Sequence, residues 1–181
     1  MTPASRAILL VAAVTLAAPA VVLRAQSAKD LKPFRSTVYN VTFGYPKKDW
    51  IPVPAAGGNI ALVMQKKGEA SLALDYQVLR VALAPDEIDD TFLEIEVEAL
   101  TQRAPHARVI ESELTELGGR KTVVIHYGAA GLAGDLDVRQ YSIVKGAALY
   151  RLTCAVSRSR IDKHGGVCEL AAQSLAINEP S

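Results

Sequence analysis

Beyond Leu23 this chain has no apolar run approaching the length a bilayer requires, so no transmembrane segment is expected in the mature protein. Nor does it carry a surplus of charge. With Arg6 and Arg24 set aside, for the reason given below, the 20 Lys and Arg become 18 against 19 Asp and Glu, a balance of −1. That is not the electrostatic footprint of a nucleic-acid binder, nor the polybasic patch that holds a protein on an anionic membrane. Catalytic motifs are missing as well. There is no Gly-x-Ser-x-Gly elbow and no serine set beside a His/Asp pair. The three histidines, His106, His126 and His164, lack the i, i+4 spacing of a metal-binding helix. A hydrolase therefore has the least support, and no cofactor is implied. Cysteine is scarce, with only Cys154 and Cys168, and no repeat, second domain or low-complexity tract is present.

What is present begins at the N-terminus. Arg6 precedes an unbroken apolar stretch from Ala7 to Leu23 that contains Pro19 and gives way to Arg24-Ala25-Gln26. A positive first region, a short apolar core and a small residue at the boundary describe a secretory signal peptide over 1–25. No cysteine lies near the boundary, which excludes lipid attachment there. The mature chain is then expected to start near Gln26 and to work in the periplasm or outside the cell. About 155 residues remain, enough for one domain with one real core. In an oxidising compartment Cys154 and Cys168 most simply form one disulfide, the alternative being two free structural thiols. Closing a loop of about 15 residues contributes roughly 3 kcal/mol in the chain-entropy model. Alternation along 149–154 puts Cys154 beside Tyr150 and Leu152, and Cys168 shares a helical stripe with Ile161 and Ala172, so both sulfurs are expected in one interface.

Residues 26–36 are polar and read as a flexible leader, followed by a single domain over 37–181. Alternation predicts strands at 38–45, 59–66 and 70–81, the last two joined by a turn at Lys67-Gly68-Glu69. Residues 46–59, with three prolines and two glycines, read as a loop carrying Trp50. Pro85-Asp86-Glu87 opens a helix with an apolar stripe of Ile88, Phe92, Ile95 and Ala99, which Pro105 stops. Four strands follow at 108–117, 120–127, 135–145 and 148–156, with Gly118-Gly119 as a tight turn. A final helix over 159–175 contains Gly165-Gly166, a pair that weakens helices. The class is α+β: an α/β/α sandwich with a largely antiparallel central sheet of about six to seven strands and helices on both faces.

These residues also carry a resemblance. Phe43-x-Tyr45-Pro46-x-x-x-Trp50 after a strand is similar to the start of the PsbP-like superfamily. So are Leu117-Gly118-Gly119-Arg120-Lys121, Tyr141-Ser142-Ile143, the run from Ala148 to Cys154, and the ending Gln173 to Ile177. The resemblance spans about 37–177, departs from the family at Gly165-Gly166 and Leu175, and points to its bacterial exported branch. It implies an α/β/α sandwich that binds protein partners without catalysis.

Several residues stand out as candidate sites. Tyr45 and Trp50, in the proline-rich stretch, form either a recognition surface or a plug for one end of the sandwich. Glu94 and Glu98, at i, i+4 on the first helix, form either a landing face for a cationic partner or divalent ion or an ordinary solvated face. If Tyr127 faces Leu136 and Ile125 faces Val138, His126 lies opposite Asp137. With Asp135 these would make a metal half-site, or His126 and Asp137 a surface pair contributing at most about 1 kcal/mol. The Gly128-x-x-Gly131-x-x-Gly134 loop precedes a strand instead of a helix and so reads as a hairpin loop, not a phosphate cradle. The reading is an exported, non-enzymatic accessory protein, a monomer that binds an unidentified protein through a sheet edge or loop end. The alternative is an envelope protein that binds a small ligand or a divalent cation.

Overall fold

Alternation of buried and more exposed residues, clearest along β4 and the first half of β5, sets the architecture. The computed structural model describes residues 30–55, 59–131 and 134–178, so the expected signal peptide and the start of the leader lie outside it. Its elements are β1 (Leu31–Ser36), β2 (Val41–Pro46), β3 (Trp50–Val53), β4 (Asn59–Gln65), β5 (Ala70–Leu83) and α1 (Asp90–Arg103), then β6 (Arg108–Leu117), β7 (Arg120–Gly131), β8 (Gly134–Ser157), α2 (Ile161–Gln173) and β9 (Ala176–Ile177). Six strands form the main sheet in the order β3-β4-β5-β8-β7-β6, and β1-β2-β9 form a smaller one. Every pairing is antiparallel.

β8 contains both of the strands expected between 135 and 156. Its residues 134–143 pair with β7 and 146–156 with β5. A straight strand of its 24 residues would reach about 80 Å, twice the breadth of a domain this size. The chain therefore turns at Gly146, whose φ of 59° is open to glycine at no steric cost.

The helices cover different parts of the sheet. On one face, Phe92 and Leu100 of α1 and the preceding Ile88 pack on Val123, Ile125, Tyr127, Val138 and Leu149. On the other, Val167, Cys168, Ala171 and Ala172 of α2 pack with β2, β9 and the inward residues of β4, β5 and the second half of β8. Asp89 caps α1 by accepting from the Thr91 and Phe92 amides at 3.0 and 3.1 Å.

Three expectations need correction. Residues 31–36, read as leader, form β1 against β2; only Leu31, Phe34 and Ser36 are half-buried, so the strand reads as polar. Trp50, placed in a loop, opens β3. The inward stripe of α1 is Phe92, Glu96 and Leu100, while Ile95 is 54% exposed. A glutamate sits in the core because an arginine waits beneath it.

Candidate functional site

That arginine is Arg151, on the α1 face of β8. Arg151 Nε and Nη2 donate to Glu96 Oε2 and Oε1, both at 2.8 Å. Ser142 Oγ also donates to Glu96, at 2.7 Å, and Gln140 Nε2 donates to Ser142 at 3.2 Å. The remaining guanidinium nitrogen donates to Gln77 at 2.9 Å and to Asp75 at 3.4 Å. Among the described residues no buried side-chain polar atom lacks a partner. Burial alone would raise the Glu96 pKa, but the hydrogen bonds and charge of Arg151, with the Ser142 hydroxyl, more than offset it and hold it below the ordinary value. This network pins α1 to the sheet in one register. At 2% and 4% exposed, Glu96 and Arg151 are closed to a ligand.

A second charged cluster joins the β4–β5 turn to the start of α2. Glu69 forms an ion pair with Arg160, whose Nε lies 3.2 Å away, accepts from Lys163 Nζ at 3.2 Å, and pairs with His164 Nε2 at 3.1 Å. The His164 hydrogen bond, then that of Lys163, lowers the Glu69 pKa to about 2. The His164 ring also meets the edge of Trp50, with centroids 6.2 Å apart.

The open chemistry lies on the α2 side of β6, β7 and the first half of β8, which α2 does not reach across. There the sheet floors a cavity of about 300 Å³ lined by Glu111, Glu113, Thr115, Leu117, Val124, His126, Arg139 and Tyr141, with Glu169 of α2 at its side. The register builds it in rows, with Glu111 beside His126 beside Arg139, then Glu113 beside Val124 beside Tyr141. Burial raises the Tyr141 pKa, against the opposing positive charge of nearby Arg139.

His126 Nε2 lies 2.7 Å from Asp137 Oδ2, as anticipated, although the register differs from the expected one by two residues. Tyr127 faces Val138 and His126 faces Arg139, so the contact is diagonal. Diagonal neighbours share a sheet face and remain within reach of long side chains. Asp135 does not join them: it lies 3.9 Å from Arg158 and is 72% exposed. No three His, Cys, Asp or Glu converge on a metal position among the described residues. Tyr45 and Trp50 are 2% and 5% exposed, so they plug the core and offer no recognition surface. Glu94 and Glu98 lie on the exposed side of α1, where Glu98 accepts from Gln102 at 3.1 Å. Cys154 and Cys168 are bonded, with Cα atoms 5.4 Å apart, and tie β8 to α2. Sequence reasoning missed Glu111, Glu113, Arg139 and Glu169. Their spacing of two along a strand puts Glu111 and Glu113 on one face, but only the placement of α2 reveals that this face stays open.

No family model matches the sequence, and no curated protein does. Solved structures do. Cyanobacterial PsbP (CyanoP) from Synechocystis superimposes with a TM-score of 0.63 at 14% identity, over 90% of this chain and 98% of that one. LpqN, involved in cell envelope biogenesis of Mycobacterium tuberculosis, gives 0.56 at 12%, over 82% and 90%. The Saccharomyces cerevisiae Ran-binding protein Mog1p gives 0.54 at 10%, over 81% and 95%. At such identities the likeness is one of fold. The protein is an α+β sandwich, and its fold is PsbP-like.

Proposed function

We propose that this protein is exported and acts without catalysis as an accessory factor, binding a protein partner at the open face beside edge strand β6. The observation that carries the reading is the three-stranded area on the α2 side, a concave polar surface ending in a strand whose outer backbone has no neighbour among the described residues. Such an edge is a natural docking element for another chain. The N-terminal pattern of Arg6 and the apolar stretch to Leu23 supports export, and the disulfide suits an oxidising compartment. Among proteins of this fold, one is Ran-binding and another takes part in cell envelope biogenesis, so partner binding and an envelope setting both occur on this scaffold. Fold alone does not assign function, and the surface must be tested directly.

A photo-crosslinking residue at Glu111, in the protein expressed in its own cell, should yield one discrete cross-linked protein. The same group at Gln102, exposed on α1, serves as the control. No adduct at Glu111, or the same adducts at both positions, would reject the surface. Mass spectrometry of the mature chain should place its N-terminus between Val21 and Lys29, and recovery of the intact Met1 form outside the cytoplasm would reject export.

A further inference from the structure

We infer that the partner lays an extended basic segment along β6, with Lys or Arg at two alternate positions entering the cavity over Glu111 and Glu113. This rests on the reading above and specifies the partner's chemistry. β6 runs from Arg108 to Leu117, is paired among the described residues only with β7, and offers its other edge to an added strand. Glu111 and Glu113 point to the same face two residues apart, about 7 Å. Alternate side chains of an added strand have the same repeat. Glu169 faces them from α2.

Two nitrogen-bearing side chains share the lining, both set back from the edge. His126 is held by Asp137 at 2.7 Å, and Arg139 stands on β8, two strands from Glu111 with β7 between them. Among the described residues none of the ion pairs involves Glu111, Glu113 or Glu169, and Glu169 accepts only from its helix neighbour Gln173. Three carboxylates thus surround a floor of Val124, Leu117 and the Tyr141 ring. That floor suits the aliphatic stem of a long cationic side chain, with the aromatic face near its charge. Charges on an edge strand often serve only to prevent aggregation. Glu169 cannot be explained that way, because it projects from a helix into the same cavity. An acidic partner would meet like charge.

The test uses the full mature chain and three capped peptides: Val-Lys-Val-Lys-Val-Thr, its isomer Lys-Lys-Val-Val-Val-Thr, and Val-Glu-Val-Glu-Val-Thr. The alternating lysine peptide should shift the amide resonances of 111–115, Val124 and Tyr141, and bind more weakly as salt rises. Its affinity should fall about tenfold in the Glu111→Gln/Glu113→Gln/Glu169→Gln variant, whose three changes are all at exposed positions. No shifts at these residues, equal binding by the glutamate peptide, or affinity unchanged in the variant would overturn the inference. Equal binding by the lysine isomer would overturn the strand register. A cross-link at Glu111 without cationic-peptide binding would sink this inference and leave the partner surface standing. Peptide binding without any cross-link would reject the cellular partner, and with it the inference about that partner, leaving only a surface that accepts an extended basic strand.

Discussion

Replacing Arg151 with methionine removes a cation that is 4% exposed and leaves the Glu96 carboxylate, 2% exposed, with the Ser142 hydroxyl as its remaining hydrogen-bond donor and the more distant charge of Arg103. Breaking a buried pair this way typically costs about 3–5 kcal/mol, mostly because a charge is left uncompensated. The geometry makes the two sides unequal. After Glu96→Leu, the arginine still reaches Gln77 at 2.9 Å and Asp75 at 3.4 Å. Arg151→Met is therefore expected near the top of that range and Glu96→Leu near about 3 kcal/mol. At about 2–4 °C per kcal/mol for a domain of this size, the first lowers Tm by roughly 10–20 °C. The double variant replaces the pair with apolar side chains and should return to within about 1 kcal/mol of the parent, or exceed it. Acid supplies an independent check. In the parent, the depressed Glu96 pKa contributes stability above the ordinary carboxylate value, and that stability is lost as pH falls through the folded value. In Arg151→Met, burial without the cation raises the pKa, so the penalty should shrink on acidification. Urea titrations of the four proteins at pH 7 and pH 4 decide the matter. Additive single effects, or Arg151→Met costing under about 1 kcal/mol, would refute the reasoning.

Other outcomes follow from the same structure. Cys154→Ala/Cys168→Ala should lower unfolding free energy by about 2–5 kcal/mol in denaturant, and equal stability with and without reductant would count against the bridge. Glu69, with its pKa near 2, should contribute stability that is complete above the ordinary carboxylate value and vanishes as pH falls through about 2. Glu69→Gln should lack that part of the acid dependence, and parallel pH profiles for the two proteins would reject the clamp. Gly44→Ala should destabilise by about 1–3 kcal/mol, because a Cβ there would lie 2.7 Å from Leu31 Cδ1 and 3.0 Å from Ser174 Oγ. Gly166→Ala, where a Cβ meets nothing within 4 Å on a helix, should instead stabilise by up to about 1 kcal/mol, and urea titrations of both glycine variants against the parent check the two signs.

Local periodicity carried the reading furthest where burial follows hydrophobicity. Cys154 and Cys168 were assigned to one interface from alternation and a helical stripe, and they meet there. The His126–Asp137 contact survived a two-residue register error because such a slip preserves the face, whereas a one-residue slip would have separated the groups. α1 was misread for the opposite reason. Pattern analysis sends Glu outward, and only the distant Arg151, 55 residues along the chain, makes Glu96 an inward residue. β1 escaped notice because a strand on the edge of a small sheet needs few apolar positions. The cavity escaped for a further reason: no local signal states where a helix stops covering a sheet.

That incomplete covering leaves a second open area, on the α1 side, and the contrast bears on the partner surface proposed above. Its rows are Ile51, Met64, Ser71 and Ala155, then Val53, Leu62, Ala73 and Thr153. Ile51 and Met64 are 43% and 36% exposed, and the others are half-buried. These side chains are short or apolar, carry no charge, and lie beside the brief edge strand β3, which contains Pro52 and so cannot donate fully to an added strand. Such a surface tolerates solvent contact but offers little to discriminate between partners. The β6 side supplies a ten-residue edge, a concavity and oriented carboxylates. Specific recognition depends on differences in affinity that charge and shape create. By that criterion the face over β6, β7 and the first half of β8 is the better-equipped of the two for the proposed partner, and the opposite corner is where the sheet merely ends.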